Sequence, residues 1–376
     1  LSAPLAFSYL TKMNEEGASD LYLTVGHAPV MRVDDAMVEI ESEAMTLENI
    51  NNIIQSILTT KQRRDFDINL ELNTSLDMGD HGRFRINLLR QRQNPSLVIR
   101  RIVSKIPSIQ DLRLPPILEK LSLEKRGLIL LTGMTGSGKT TTLASMINHR
   151  NERQQGHILT IEDPIEYYHE HKKSIVTQRE VGVDTNSYSI ALKNALRQRP
   201  DVILIGEIRD ADVMEQALTA AETGHLCLAT LHTNNAYQAI ERIVNFFPED
   251  QQTQVRLNLS MNLKAIISQR LLNSVNGTGL VPALEIMLNE ALIREIIVKG
   301  QYEKITSVME QNNPMGMRTF DQTLLDLFAK GLITEETVIN QSDKSSDIKV
   351  KLQSIKMGQA QGNLGSIDTS KISMME

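Results

Sequence analysis

Two histidines and the only cysteine of the chain fall within Thr223–Asn235, TGHLCLATLHTNN. Such residues so close together suggest a metal site, and their spacing tests the idea. Leu226, Cys227, Leu228, Ala229, Thr230 and Leu231 form a short, mostly apolar run bounded by turn-forming residues, which reads as a buried strand. His225 and His232 are seven positions apart, an odd number, so a continuous strand points them to opposite faces. It also separates them by roughly 23 Å. They cannot meet on one zinc ion. Cys227 shares a face with His225, but two ligands do not make a structural zinc site. Cys227 therefore reads as a small buried residue. What needs explaining is why a histidine stands where a buried strand ends.

The second chemical signal is Gly133-Met134-Thr135-Gly136-Ser137-Gly138-Lys139-Thr140, which fits G-x-x-x-x-G-K-[ST]. The pattern requires a strand before it and a helix after it, and LILLT and TTLASMINH supply both. Glycines let the backbone wrap a phosphate, so that amides and a helix N-terminus face the anion. Lys139 is placed to pair with the β- and γ-phosphates, and Thr140 to set a hydroxyl on Mg²⁺. Gly133, Thr135, Gly136, Ser137, Gly138, Lys139, Thr140 and Thr141 form the expected nucleotide-binding set. No N-K-x-D guanine-reading sequence occurs, which favours ATP over GTP.

Three further strand ends carry polar groups. HILTIEDPIEY ends with Glu162, Asp163 and Glu166, DVILIGEIRD with Glu207 and Arg209, and LCLATLH with His232. In open α/β sheets, ligands bind beyond the carboxyl ends of the strands. His232 is thus expected at the rim of a nucleotide site, sensing or orienting the γ-phosphate. Hydrolysis needs a carboxylate to orient or deprotonate water, and Glu166 and Glu207 are both candidates. An aspartate commonly precedes the second-motif acid in such ATPases. Here Gly206 takes that place, so either Glu207 acts with metal-bound water or the carboxylates Glu162, Asp163 and Glu166 take over.

These residues need a frame to hold them. The chain has 376 residues, 41% hydrophobic and 23% charged, with a net charge of −6. That composition means a globular protein of two or three domains, and it argues against a general nucleic-acid binder. One cysteine excludes an intramolecular disulfide and fits a reducing compartment. No apolar run approaches a bilayer span, and LSAPLAFSYLTKMNEEG lacks the core of a signal peptide. Residues 1–103 mix strands (SDLYLTVG, APVMRVDD, GRFRINLLRQRQ, SLVIRRI) with one long helix, LENINNIIQSILTTKQRRDF. The proline-rich KIPSIQDLRLPPI marks a linker at 104–116. From 117 to 355, apolar strands alternate with amphipathic helices, which predicts a mostly parallel sheet covered on both faces. Beyond about 250 the pattern reads as helices interrupted by one strand, VPALEIML. The polar tail 356–376 reads as disordered.

On these residues the chain resembles the secretion ATPase family, in its PilT/PilU-type pilus retraction branch. The stretches that carry the resemblance are GMTGSGKTTTLASMI, HILTIEDPIEYYH, RQRPDVILIGEIRD, TGHLCLATLHTNNA and ERIVNFFP, then QVRLNLSMNLKAIISQRL. SDLYLTVGHAPVMRV and GRFRINLLRQRQ extend it to the N-terminal part. The resemblance implies an α/β chain: an N-terminal PAS-like α+β domain, then a RecA-like P-loop ATPase domain with a helical C-terminal part. It implies a homo-hexamer that hydrolyses ATP with Mg²⁺, in the cytoplasm at the inner face of the membrane. Its implied partners are an inner-membrane pilus platform protein and a PilT-type motor. By the same resemblance Glu162, Asp163 and Glu166 form an Asp box, Gly206-Glu207 a Walker B pair, and His225 and His232 a His box. GMRTFDQTLLDLFAKGLIT fits the PilU side, whereas NEALIREIIVKG departs from the A-I-R-x-L-I stretch of the PilT side.

GRFRINLLRQRQ alternates Phe84, Ile86 and Leu88 with Arg83, Arg85 and Asn87, which predicts one buried and one polar face. A solvated basic face accounts for this. The family resemblance implies more: Arg83, Arg85 and Arg100 of one subunit would reach ATP held by its neighbour. Other functions are an assembly motor, a nucleic-acid motor and an accessory ring. The assembly motors of the family often carry a tetra-cysteine zinc module, which one cysteine cannot build.

Overall fold

The computed structural model describes residues 5–34, 36–79, 82–102, 105–277, 279–312, 316–343, 347–353 and 355. The tail 356–376 lies outside the described residues. The chain separates into two compact units. The first gathers the chain up to Ile106 with two later segments, Pro164–Glu170 and Glu180–Asn186. The second takes Pro107–Asp163, His171–Arg179 and the chain from Ser187 onward.

The first unit contains α1 (Leu5–Glu15), β1 (Asp20–Thr24), β2 (Val30–Val33), β3 (Ala36–Glu39), α2 (Leu47–Ile57), α3 (Thr60–Asn69), β4 (Glu71–Asp77), β5 (Arg83–Gln91) and β6 (Asn94–Ile102). Its sheet has the order β3-β2-β1-β6-β5-β4, with antiparallel pairing throughout. Phe84, Ile86 and Leu88 of β5 are buried and alternate with half-buried Arg83, Arg85 and Asn87, as the period-two pattern requires. Ile50, Ile53 and Ile54 of α2 join the same core. The stretch expected as a single long helix is two. Leu58 is extended, and Thr59 starts α3 with a capping box to Gln62. The apolar spacing ran on across the break, but the Thr59 side chain offers the new first turn a partner for its free amides.

The second unit contains α4 (Ile117–Ser122), β7 (Gly127–Thr132), α5 (Lys139–Arg153), β8 (Gly156–Glu162), β9 (Ser174–Glu180), α6 (Tyr188–Ala195), β10 (Val202–Ile205), α7 (Ala211–Glu222), β11 (Leu226–Leu231), α8 (Ala236–Asn245), α9 (Glu249–Asn262), β12 (Leu263–Asn273), β13 (Leu280–Leu288), α10 (Ala291–Lys299), α11 (Ile305–Gln311), α12 (Phe320–Ala329) and α13 (Glu335–Gln341). β9 ends at Glu180, which lies with the first unit. The sheet order is β13-β12-β7-β11-β10-β8-β9. β12, β7, β11, β10 and β8 run parallel, and β13 pairs with β12 antiparallel. Every residue of β7, β10 and β11 is buried, the signature of a sheet covered on both faces. The mixed α/β architecture expected from sequence is the one observed.

The region after residue 250 corrects one expectation. Beside VPALEIML, which lies in β13, Leu263–Asn273 is a second strand and pairs directly with β7. LKAIISQRLL follows α9 with no glycine or proline between them, so no local signal marks where helix becomes strand. Burial against the central strand decides it.

Register places the chemistry. Thr132 pairs with Leu231, and Ala229, Ile205 and Ile161 lie level across three strands. The residues that follow them, Gly133, His232, Gly206 and Glu162, therefore emerge along one edge of the sheet.

A candidate nucleotide site at the carboxyl edge of the second sheet

Between β7 and α5 the loop Gly133–Gly138 turns back over the strand end. A Cβ on Gly133 would stand 2.4 Å from the Gln269 carbonyl oxygen and 2.5 Å from Ser137 Oγ. Only glycine permits that approach. Gly138 caps α5 in the left-handed conformation, with no side-chain hydrogen bond to the helix. The N-terminus of a 15-residue helix, the end that favours an anion, thus faces the loop.

The side chains of the loop fit that use. Lys139 is buried, and its Nζ donates to the carbonyls of Gly133 (2.7 Å) and Met134 (2.9 Å). Ser137 Oγ is buried without a hydrogen-bond partner, a cost that a phosphate oxygen would remove. Thr135 and Gly136 are exposed, while Thr140 and Thr141 are half-buried in the first turn of α5. A cavity of about 900 Å³ opens on this loop, with Asn234, Gln269 and Glu285 also in its wall.

Beside the loop, polar groups from three strands meet. His232 Nε2 lies 3.3 Å from Glu207 Oε1. The other Glu207 oxygen accepts from Arg209 Nε at 2.7 Å, and Arg209 Nη1 lies 3.8 Å from Asp163 Oδ2. Glu162 is buried one residue back, accepting from Thr160 Oγ1 (2.6 Å) and Gln178 Nε2 (3.2 Å). Burial and then the Lys139 charge hold the His232 imidazole below the ordinary histidine range, against the pull of Glu207. Near neutral pH His232 is an uncharged imidazole beside the Glu207 side chain. Such a cluster can position water and compensate charge on a transferring phosphoryl group.

Not every sequence-selected residue joins this cluster. His225 sits at the amino end of β11. Its ring Nδ1 lies 2.9 Å from the Ala220 carbonyl and 3.2 Å from Thr223 Oγ1, in the turn after α7. The six-residue strand between the histidines separates them by roughly 23 Å. Between them Cys227 is fully buried, and burial pushes its thiol up to about 12. Glu166 is exposed on the loop after β8, in a segment that belongs to the first unit. Arg83 pairs with Asp77 at 2.5 Å and stacks on the Tyr168 ring at 3.9 Å, all within that unit. Arg85 faces Arg100 across β5 and β6, and Arg100 Nε binds Asp20 Oδ1 at 2.8 Å.

Two residues behind the loop carried no signal in the sequence. Gln269 Oε1 accepts from Thr142 Oγ1 at 2.7 Å, bracing α5 against β12. Glu285 Oε1 accepts from the Ala236 amide (2.7 Å) and from Ser268 Oγ (3.3 Å), and Ser268 in turn accepts from Thr132 Oγ1 (2.9 Å). This buried chain runs from the residue before the phosphate loop to the start of α8, just after His232. Burial pushes the Glu285 carboxyl up to about 7. Polar residues inside strands look in sequence like interruptions of an apolar run, and only the pairing of β12 with β7 and β13 reveals them as a set.

A family model described as Type II/IV secretion system protein matches residues 3–319. The chain is 45% identical over 344 residues to the Type IV pilus ATPase PilU of Pseudomonas aeruginosa, covering 92% of this chain and 90% of that protein. It is 43% identical over 322 residues to the Type IV pilus retractation ATPase PilT of the same species, covering 86% and 93%. Among solved structures it resembles a crystal structure of the pilus retraction motor PilT with bound ADP, at a TM-score of 0.86 and 41% identity, covering 92% of this chain and 99% of that one. Phosphate loop, strand-end cluster and family match agree along one chain, which belongs to the Type II/IV secretion system protein family.

Proposed function

We propose that this protein is an ATPase motor that drives type IV pilus retraction, working as a homo-hexamer beside a PilT-type motor. The observation that carries the reading is the Lys139 loop on the same sheet edge as the His232–Glu207–Arg209–Asp163 chain, in a protein 45% identical to PilU. Gly133, Thr135, Gly136, Ser137, Gly138, Lys139, Thr140 and Thr141 cradle the phosphates of ATP. Thr140 and, through water, Glu207 are the residues that would hold Mg²⁺, which offsets charge on the β- and γ-phosphates when bound.

Glu207 orients the attacking water, and neutral His232 reports on the γ-phosphate through the Glu207 carboxylate. Glu162 and Asp163 hold Arg209 and the strand end in place. Glu166 is the second candidate for the base. His225, at the far end of β11, supports the turn that starts the strand. Arg83, Arg85 and Arg100 compensate charge in trans, at ATP held by a neighbouring subunit. The ring docks on a pilus platform protein at the inner face of the cytoplasmic membrane. No helix among the described residues is long and apolar enough to cross a membrane, so this contact runs through the partner.

Counting surface pili on cells that lack the protein tests the reading. Retraction predicts more pili than on wild-type cells. Bald cells would reverse the motor's direction, and an unchanged number would make the protein an accessory to another motor.

A further inference from the structure

Gly206 stands where ATPases with a phosphate loop commonly carry a metal-binding aspartate. Its backbone is outside the left-handed region, so conformation does not require glycine here. Space does. A Cβ on Gly206 would lie 2.7 Å from Tyr188 Oη, 3.2 Å from Glu162 Cα and 3.3 Å from the Ile161 carbonyl oxygen. The first of these contacts is a side chain from a different part of the chain. Tyr188 opens α6, a helix capped by Ser187 through the Ile190 amide.

The distance is informative. With ordinary bond lengths, an aspartate carboxylate oxygen lies roughly 2.4 Å from its own Cβ. The Tyr188 hydroxyl therefore occupies about the radius at which the oxygen of an aspartate at 206 would lie. Asp163, Arg209, Glu162 and Glu207 are near enough to act on it electrostatically, and burial, with the three carboxylates against the pull of Arg209, pushes the phenol well above its ordinary range. The group stays an O–H donor at every physiological pH. Three carboxylates already share one edge with Arg209, whose side chain is 59% exposed. A fourth anion there would raise their mutual repulsion, whereas a phenol brings a donor and no charge.

We propose that Tyr188 is a positioning residue whose hydroxyl replaces the missing aspartate carboxylate, giving the Glu162–Asp163–Glu207 cluster a neutral donor in place of a fourth anion. Tyr188 acts through this carboxylate cluster, not on the nucleotide. The inference rests on the ATP-hydrolysis reading above, and two measurements separate them.

The first is steady-state hydrolysis by Tyr188→Phe in the full chain, which removes one oxygen and keeps the ring. The turnover number should fall about tenfold, with the KM for ATP and the Kd for ADP each within about twofold of wild type. An unchanged turnover number would overturn the proposal, and so would parallel losses in turnover and nucleotide affinity. The second needs no activity. Gly206→Ala is made in the wild-type and Tyr188→Phe backgrounds, and thermal midpoints are compared. A clash with the hydroxyl predicts a drop smaller by about 2 °C or more in the Phe background, the remainder coming from the backbone contacts. Equal drops would show that the hydroxyl does not fill that space. If the wild-type protein hydrolyses no ATP, the functional reading fails, and the thermal cycle alone decides the role of Tyr188.

Discussion

One strand carries a histidine at each end, and the two have different surroundings. At the amino end of β11, His225 meets a backbone carbonyl and a threonine hydroxyl, the partners of a residue that closes a turn. At the carboxyl end, His232 meets Glu207 under the field of Lys139. Residue type and strand are the same. What differs is which edge of a parallel sheet each residue reaches. Helix N-termini and the loops that follow strands gather at the carboxyl edge, so charge chemistry belongs there. The amino edge has only turns to stabilise.

The comparison is sharpened most by Lys139→Ala. Removing the buried ammonium from the loop should weaken ADP and ATP binding about 100-fold by calorimetry, from the loss of charge-assisted bonds worth about 3 kcal/mol. Next comes Arg209→Gln, which removes the bond to Glu207 and the charge near Asp163. Turnover should fall about tenfold while nucleotide affinity changes little, and an equal loss of both would place Arg209 on the phosphates instead.

His232→Gln should lower turnover several-fold, about 1 kcal/mol in barrier, and it carries a pH signature. The folded state holds the imidazole below its ordinary pKa, so the unfolded chain binds the proton more readily. Stability is then lost as pH falls below about 6.5. The Gln variant should show a shallower acid loss in denaturant titrations at pH 7 and pH 5.5. The smallest effect is His225→Ala. It should cost about 1 kcal/mol of stability and leave the Kd for ATP within about twofold, whereas a collapse of affinity would break the contrast between the two edges.

Glu285 behaves in the opposite sense. Its carboxyl is pushed up to about 7 chiefly by burial, with Asp343 acting the same way and Arg270 opposing. The folded state therefore binds the proton more tightly, so the stability this group contributes is fully present below pH 4.5 and is lost as pH rises to about 7. Glu285→Gln, which keeps an acceptor for Ala236 and Ser268, should gain stability relative to wild type at pH 8 and lose that advantage at pH 4.5.

The site was legible in sequence wherever chemistry and local pattern coincide. The phosphate loop has a fixed spacing, and Glu162, Glu207 and His232 each follow an apolar strand, so their meeting at one edge follows from a parallel sheet. β12 was illegible because helix and strand adjoin without punctuation, and only pairing with β7 separates them. The break at Thr59 was masked by apolar spacing that continues through it. The grouping of Pro164–Glu170 with the first unit, the brace from Gln269 and the filling of Gly206's space by Tyr188 are long-range facts. No window of sequence contains both partners of such a contact.

The most direct test of the account is Glu207→Gln, followed by quenched-flow measurement of a single turnover of bound ATP. Charge is removed with shape kept, so the variant should bind ATP with near wild-type affinity and hold it unhydrolysed, its rate down about 100-fold or more. Hydrolysis at the wild-type rate would show that the carboxylate at this strand end is not the group that handles water, and would move the chemistry to Glu166.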